Sequence, residues 1–204
     1  MHIFFLICGL SFVLNAQEKL PMTAAQTQDF VAKMVDKSQK MAEVKTQFTQ
    51  QKHSTVLTSV VESTGNMRFN AKDKYLRWAY KTPQVIVFEL DKDNVSITGA
   101  GGKPLQLPAA AKRGVSMLAQ MIMQIVNGQL LIDNKNKDFQ PSYFRSGSNT
   151  LIELKAKSNR MKRAMVGINM LINSELEPIS IEIIENGGDR TVIHFDQGME
   201  ISYK

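Results

Sequence analysis

Cysteine is almost missing from this chain of 204 residues: Cys8 stands alone. No intrachain disulfide can form, so burial and hydrogen bonding must hold the fold. Histidine is scarce too, limited to His2, His53 and His194. The sequence has no H-x-x-x-H pair, Walker loop, G-x-G-x-x-G or G-x-S-x-G. The usual signatures of metal, nucleotide and serine-hydrolase chemistry are therefore lacking. His194 and Asp196 fall at i and i+2 on one expected strand and face the same side. Without a serine elbow they read as a solvated pair. The expectation is a protein that is not an enzyme and that has no cofactor or metal.

Long hydrophobic runs are also lacking. The longest charge-free apolar run, Ile3–Leu14, falls short of the ~20 residues that a transmembrane helix needs. It fits the h-region of a secretory signal, with small Ala16 at the cleavage point. The n-region carries only the α-amine and His2. A second reading makes Cys8 a lipid attachment site, but bulky Ile7 stands where lipoprotein processing prefers a small residue. The reading taken is a signal peptide at residues 1–16 and a single domain at 17–204. The product is then a cysteine-free periplasmic protein of a Gram-negative bacterium.

What is present is enough for a core: 43% of residues are hydrophobic and 22% charged, with a formal charge of +6. That composition excludes a disordered chain. Thr23–Lys40 reads as a capped amphipathic helix with Phe30, Val31, Met34 and Val35 inward. From Val44 the period changes to two. Strands are expected at Val44–Gln51, Val56–Asn70, Tyr75–Lys81, Gln84–Leu90 and Asn94–Thr98. Glycines 99, 101 and 102 break the pattern and offer a hinge. Lys112–Val126 then reads as a second helix, with a stripe of Met117, Leu118, Met121, Ile122, Ile125 and Val126. Strands resume at Phe139–Arg145, Thr150–Lys155, Ala164–Asn173, Ile179–Glu185 and Arg190–Phe195. Short strands without intervening helices imply an antiparallel meander.

Two features bear on function. The turn holding Lys155, Lys157, Arg160, Lys162 and Arg163 is strongly basic but has no interleaved aromatics, which speaks against nucleic acid. It is either a solvated loop or a dock for anionic headgroups or an acidic partner. The second feature is a shared sheet face. Leu76, Trp78 and Tyr80 alternate with Tyr75, Arg77 and Ala79, while Met67 with Phe69 and Ile86 with Phe88 flank them. The helical stripe can cover this face. The result is either an ordinary core or a cavity under a removable cover, and the helix methionines suit re-packing around an irregular ligand.

The order of these segments resembles the periplasmic lipoprotein-carrier family, LolA-like. Val44-Lys45-Thr46-Gln47-Phe48-Thr49-Gln50 is similar to its "F-x-Q" strand, and Gly65-Asn66-Met67-Arg68-Phe69 to its "G-x-hydrophobic" strand. Leu76-Arg77-Trp78-Ala79-Tyr80-Lys81-Thr82-Pro83 is similar to "R-W-x-Y-x-x-P", and Ile168 to Phe195 to the paired C-terminal strands. The resemblance implies a mainly β fold: a half-open antiparallel β-barrel covered by an N-terminal helix and an inserted helical lid. It implies a monomeric chaperone that takes lipoprotein acyl chains from an inner-membrane ABC-type releasing complex to an outer-membrane acceptor. Transient contact with a membrane surface is expected, and nucleic acid is not. A lipid- or lipoprotein-sensing adaptor of the same fold is the alternative. The cavity is then expected to be lined by Phe48, Met67, Phe69, Leu76, Trp78, Tyr80, Ile86 and Phe88 from the sheet. Met117, Leu118, Met121, Ile122 and Ile125 are expected to line it from the lid. Where the family carries Arg-Pro after the second-strand glycine, this chain reads Asn70-Ala71-Lys72-Asp73-Lys74. Lys72 or Lys74 would have to control the lid as a point charge. The basic turn would serve partner docking.

Overall fold

A computed structural model describes residues 19–57, 59–92, 94–106, 121–125, 131, 137–196 and 198–204. Helix α1 (Ala24–Lys40) starts where a capping box forms. Thr23 accepts from the Gln26 backbone N–H, and the Gln26 side chain accepts from the Thr23 N–H, satisfying two donors that a helix start leaves open. Asp29–Lys33 and Asp36–Lys40 pairs lie along its solvent side. Phe30 is buried, and Val31 and Met34 pack with it against the sheet.

The chain then enters a long run of antiparallel strands. These are β2 (Met41–His53), β3 (Val61–Asn70), β4 (Tyr75–Thr82), β5 (Ile86–Asp91) and β6 (Asn94–Thr98). After a 3-10 turn at Ala100–Gly102 come β7 (Phe139–Ser146), β8 (Asn149–Ala156), a short helix α2 (Asn159–Lys162) and β9 (Met165–Ile172). Then follow β10 (Pro178–Glu185), β11 (Arg190–Phe195) and β12 (Glu200–Tyr203), while β1 (Lys19–Pro21) precedes α1. The described strands form one sheet of order β1-β7-β8-β9-β10-β11-β2-β3-β4-β5-β6. Two meanders therefore meet where β11 pairs with the second half of β2, Phe195 opposite Phe48. β12 continues along the first half of β2, Ile201 opposite Val44. The sheet is curved and does not close; β1 and β6 are its edges.

Period-two alternation decides which face is buried. On β2, Val44, Thr46 and Phe48 are buried and Lys45 and Gln47 exposed. Leu76 and Trp78 on β4, Phe88 and Leu90 on β5, Ile152 and Leu154 on β8, and Ile168 and Met170 on β9 extend the same inner face. The outer face carries charge instead. Glu43 accepts from Arg68 Nε at 2.6 Å and pairs with Lys45, and these two cations hold its carboxyl below the usual range, Arg68 foremost. His194 and Asp196 are exposed on that outer side.

The mainly β, half-open reading matches the architecture. Several boundaries move. The strand expected from Val56 begins at Val61, because residues 54–57 turn back on Asp189. The strand expected from Gln84 begins at Ile86. β1, β12 and α2 are additions. Of the helix expected at 112–126, residues 121–125 are helical. Met117, Leu118 and the rest of that stretch, like the signal at 1–16 with Cys8, lie outside the described residues.

Candidate functional site

The inner face is built around one aromatic cluster. Phe48 lies 4.2 Å from Trp78 and 5.5 Å from Tyr80, and Trp78 stacks on Phe88 at 6.1 Å. Phe195 closes the cluster from β11. Gly65 makes the arrangement possible. An added Cβ there would sit 2.3 Å from the Ala79 carbonyl oxygen and 2.4 Å from Phe48 Cζ. The ring therefore lies directly on the glycine backbone, a close approach that no side chain allows. Trp78 is 1% exposed, and its Nε1–H has no hydrogen-bond partner among the described residues. The Tyr80 hydroxyl donates to Gln50 Oε1 at 2.9 Å. Burial raises its pKa above the ordinary phenol value.

Register brings the expected sheet residues to one face: Met67 opposite Trp78, Phe69 opposite Leu76, Trp78 opposite Phe88 and Tyr80 opposite Ile86. Their environment differs from an open cavity wall. Phe48, Phe69, Leu76, Trp78 and Phe88 are fully packed, as are Met121 and Ile122 above them. Tyr80 and Ile86 are half-buried.

Open space lies to one side, under the C-terminal half of α1. A cavity of about 60 Å³ is walled by Met34, Met41, Met67, Met170 and Met199, with Val44, Ile125, Leu131, Ile172 and Ile201. Of the residues expected to line a cavity, Met67 and Ile125 do so here. The other four methionines were not anticipated, because they come from α1, β2, β9 and the β11–β12 link rather than from one periodic segment. A signal was present in the count of 12 methionines, which no single helix accounts for. Among the described residues, the buried polar ones are Thr46, Ser63 and Ser146, and none is charged.

Among the described residues, Tyr143 and Lys37 tie the segments beside this cavity to the rest of the fold. The Tyr143 hydroxyl, on β7, donates to the Leu131 carbonyl at 2.8 Å, and the Tyr143 ring meets Phe30 edge-on at 6.1 Å. Lys37, in the last turn of α1, donates to the Glu175 carbonyl at 2.6 Å and pairs with Glu177 at 3.3 Å. It borders the cavity itself.

The expected control residues lie elsewhere. Lys72 and Lys74 are exposed in the β3–β4 turn, and neither makes an ion pair among the described residues. In the basic turn, Lys155, Lys157, Lys162 and Arg163 are exposed, and Arg160 pairs with Asp138 at 2.7 Å. No group of three or more metal-ligating side chains occurs among the described residues. No described helix is long and apolar enough to cross a membrane.

The sequence model of the family described as "Outer membrane lipoprotein carrier protein LolA" matches residues 39–201. Among curated proteins, none matches the chain. Solved structures similar to it include a LolA superfamily protein of Nitrosomonas europaea, at 11% identity and a TM-score of 0.43, covering 86% of this chain and 93% of that one. Another is the lipoprotein LppX of Mycobacterium tuberculosis, at 12% identity and a TM-score of 0.46, covering 86% and 96%. A third is a DUF1329 family protein of Desulfovibrio piger, at 10% identity and a TM-score of 0.32, covering 86% and 92%.

Proposed function

Since the chain belongs to the LolA family of outer membrane lipoprotein carriers, we propose that it shelters the acyl chains of lipoproteins between α1 and the inner sheet face. It does so in the periplasm, after loss of residues 1–16, and without covalent chemistry. Cargo comes from an inner-membrane ABC-type releasing complex and passes to an outer-membrane acceptor. The observation that carries this reading is the methionine-walled cavity over an uncharged inner face. Each buried methylene is worth about 0.8 kcal/mol, so acyl chains in water are driven strongly toward any such surface. Thioether side chains bend at little cost and leave room where a chain enters.

The cavity of about 60 Å³ is far below the ~300–1,000 Å³ of ordinary ligand pockets. Loading therefore requires the cover to lift and the methionines to re-pack. Trp78, the only tryptophan, reports it. A triacylated lipopeptide added to the chain from Gln17 onward should change Trp78 emission. Ile125→Glu, which places a charge in the cavity wall, should abolish the response while circular dichroism stays unchanged. No emission change and no lipopeptide adduct in native mass spectra would refute the reading. Depletion in the cell should leave lipoproteins at the inner membrane; unchanged localisation would make the chain a lipid sensor instead.

A further inference from the structure

Of the nine exposed large apolar side chains among the described residues, four fall together in one hairpin. Val56, Leu57, Val60 and Val61 are 86%, 54%, 48% and 41% exposed, all within the β2–β3 hairpin. This tip is held in place: Asp189 accepts from the Thr55 N–H at 2.7 Å and from the Ser54 and Thr55 hydroxyls. Those hydrogen bonds hold the Asp189 carboxyl below its ordinary pKa, the Thr55 backbone N–H contributing most.

Strand direction shows what shares this rim. Lys52 is opposite both Val61 and Thr191, so the β10–β11 turn stands beside the tip. Glu185 is opposite Met165, so the basic β8–β9 turn comes next. From β9 to β2 there are three strand spacings, roughly 14 Å. A protruding apolar tip and the Lys155–Arg163 cations thus occupy one end of the sheet. Val85 in the β4–β5 turn, 46% exposed, lies at the same end.

We infer that this rim docks on an anionic phospholipid surface, with Val56 and Leu57 entering the interface and the β8–β9 turn facing the headgroups. Apolar side chains flanked by cations, with no stacking aromatics, match lipid chemistry: the tip supplies burial and the cations supply attraction. An acidic protein would satisfy the cations but not the apolar tip. The inference goes beyond the cavity reading, since rim contact needs nothing in the cavity.

Co-sedimentation of the chain from Gln17 onward, which keeps every described element, tests it with two vesicle types. Phosphatidylcholine vesicles containing phosphatidylglycerol should bind the protein, weakening with salt; pure phosphatidylcholine vesicles should bind it far less. Val56→Ser with Leu57→Ser should cost at least about tenfold in partitioning. Lys155→Ala and Lys162→Ala should cost about fivefold each on anionic vesicles only. These four sites are exposed, so folding should survive. The Ile125→Glu cavity variant should still bind vesicles. Absence of binding to anionic vesicles overturns the inference, as does binding indifferent to both pairs of substitutions. A dimer that depends on Val56 and Leu57, without vesicle binding, would assign the tip to a second copy and also overturn it.

Discussion

Gly65→Ala is the sharpest test of how the inner face is assembled. The new Cβ would fall 2.3 Å from the Ala79 oxygen and 2.4 and 2.8 Å from Phe48 Cζ and Cε1. Non-bonded heavy atoms prefer about 3.5–4.0 Å, so roughly 1 Å must open. One obstacle is backbone of the paired strand. The other is a ring held between Trp78 and Tyr80. Overpacking costs about 1–3 kcal/mol, and a backbone clash points to the upper end. Lower unfolded-state entropy returns about 0.4–1 kcal/mol. The net loss is then about 2 kcal/mol, or a fall in Tm of about 4–8 °C for a chain of this size. Urea unfolding followed by Trp78 emission measures it. Phe48→Leu removes the ring from above the glycine, so the double variant should be less destabilised than the two singles predict, by about 1 kcal/mol. A Gly65→Ala protein as stable as wild type, or strict additivity, would refute the ring-on-glycine argument.

Tyr143→Phe should leave the Leu131 carbonyl unpaired at a buried site, costing about 1–3 kcal/mol, and should speed lipopeptide uptake in stopped-flow Trp78 emission; unchanged kinetics would mean that this bond does not fasten the cover. Asp189→Asn should lower the hydrogen-exchange protection of the Thr55 amide. Because the folded Asp189 pKa lies below its ordinary 3.8, acid should have the same effect: its contribution is complete above that value and vanishes as pH falls through the lower folded one. Tyr75 donates to Glu89, and its pKa is pushed up to about 12 from 10, by burial first and by Glu89 second. The folded chain therefore retains the phenol proton where the unfolded chain loses it, so stability should fall between pH 10 and 12. The urea midpoint of Tyr75→Phe should decline less over that range.

Legibility followed the range of the interactions. The Thr23 cap and the helix end at Lys40 depend on contacts within four residues, and α1 begins and ends where they indicate. Arg190–Phe195 and Asn94–Thr98 coincide with β11 and β6 because alternation and turn residues bracket them. The strand start at Val61 was hidden, since β-branched Val56 and Val60 look strand-like until Asp189, 134 residues on from Thr55, captures the turn. β12 was missed because Glu200–Tyr203 gains its strand partner only where β11 ends along β2. The inner sheet face could be read from period two alone. The cavity could not, because its five methionines converge only when α1, β9 and the β11–β12 link fold over Val44 and Met67.

On the proposed reading, that convergence lets one sheet face serve as both a core and a binding surface. The Phe48–Trp78–Phe88 side of the face is rigid: rings with few rotamers, set on a glycine, with no space to yield. The Met34–Met170–Met199 side is soft: unbranched chains around open volume, closed, among the described residues, by the Tyr143 hydrogen bond and the Lys37 contacts to Glu175 and Glu177. On the proposed reading, rigid packing keeps the sheet curved while the soft side yields, so a ligand displaces α1 and Leu131. The two fastenings are individually modest, about 1–3 kcal/mol each. Several buried methylenes of an entering acyl chain outweigh them, and a better acceptor can reverse the balance. Stiffening the soft side should therefore hold cargo out rather than bind it more tightly. Met170→Ile, which keeps the volume but removes a rotatable bond, should leave Tm nearly unchanged while weakening lipopeptide uptake. Equal uptake would place the yielding element in the cover rather than in the methionines.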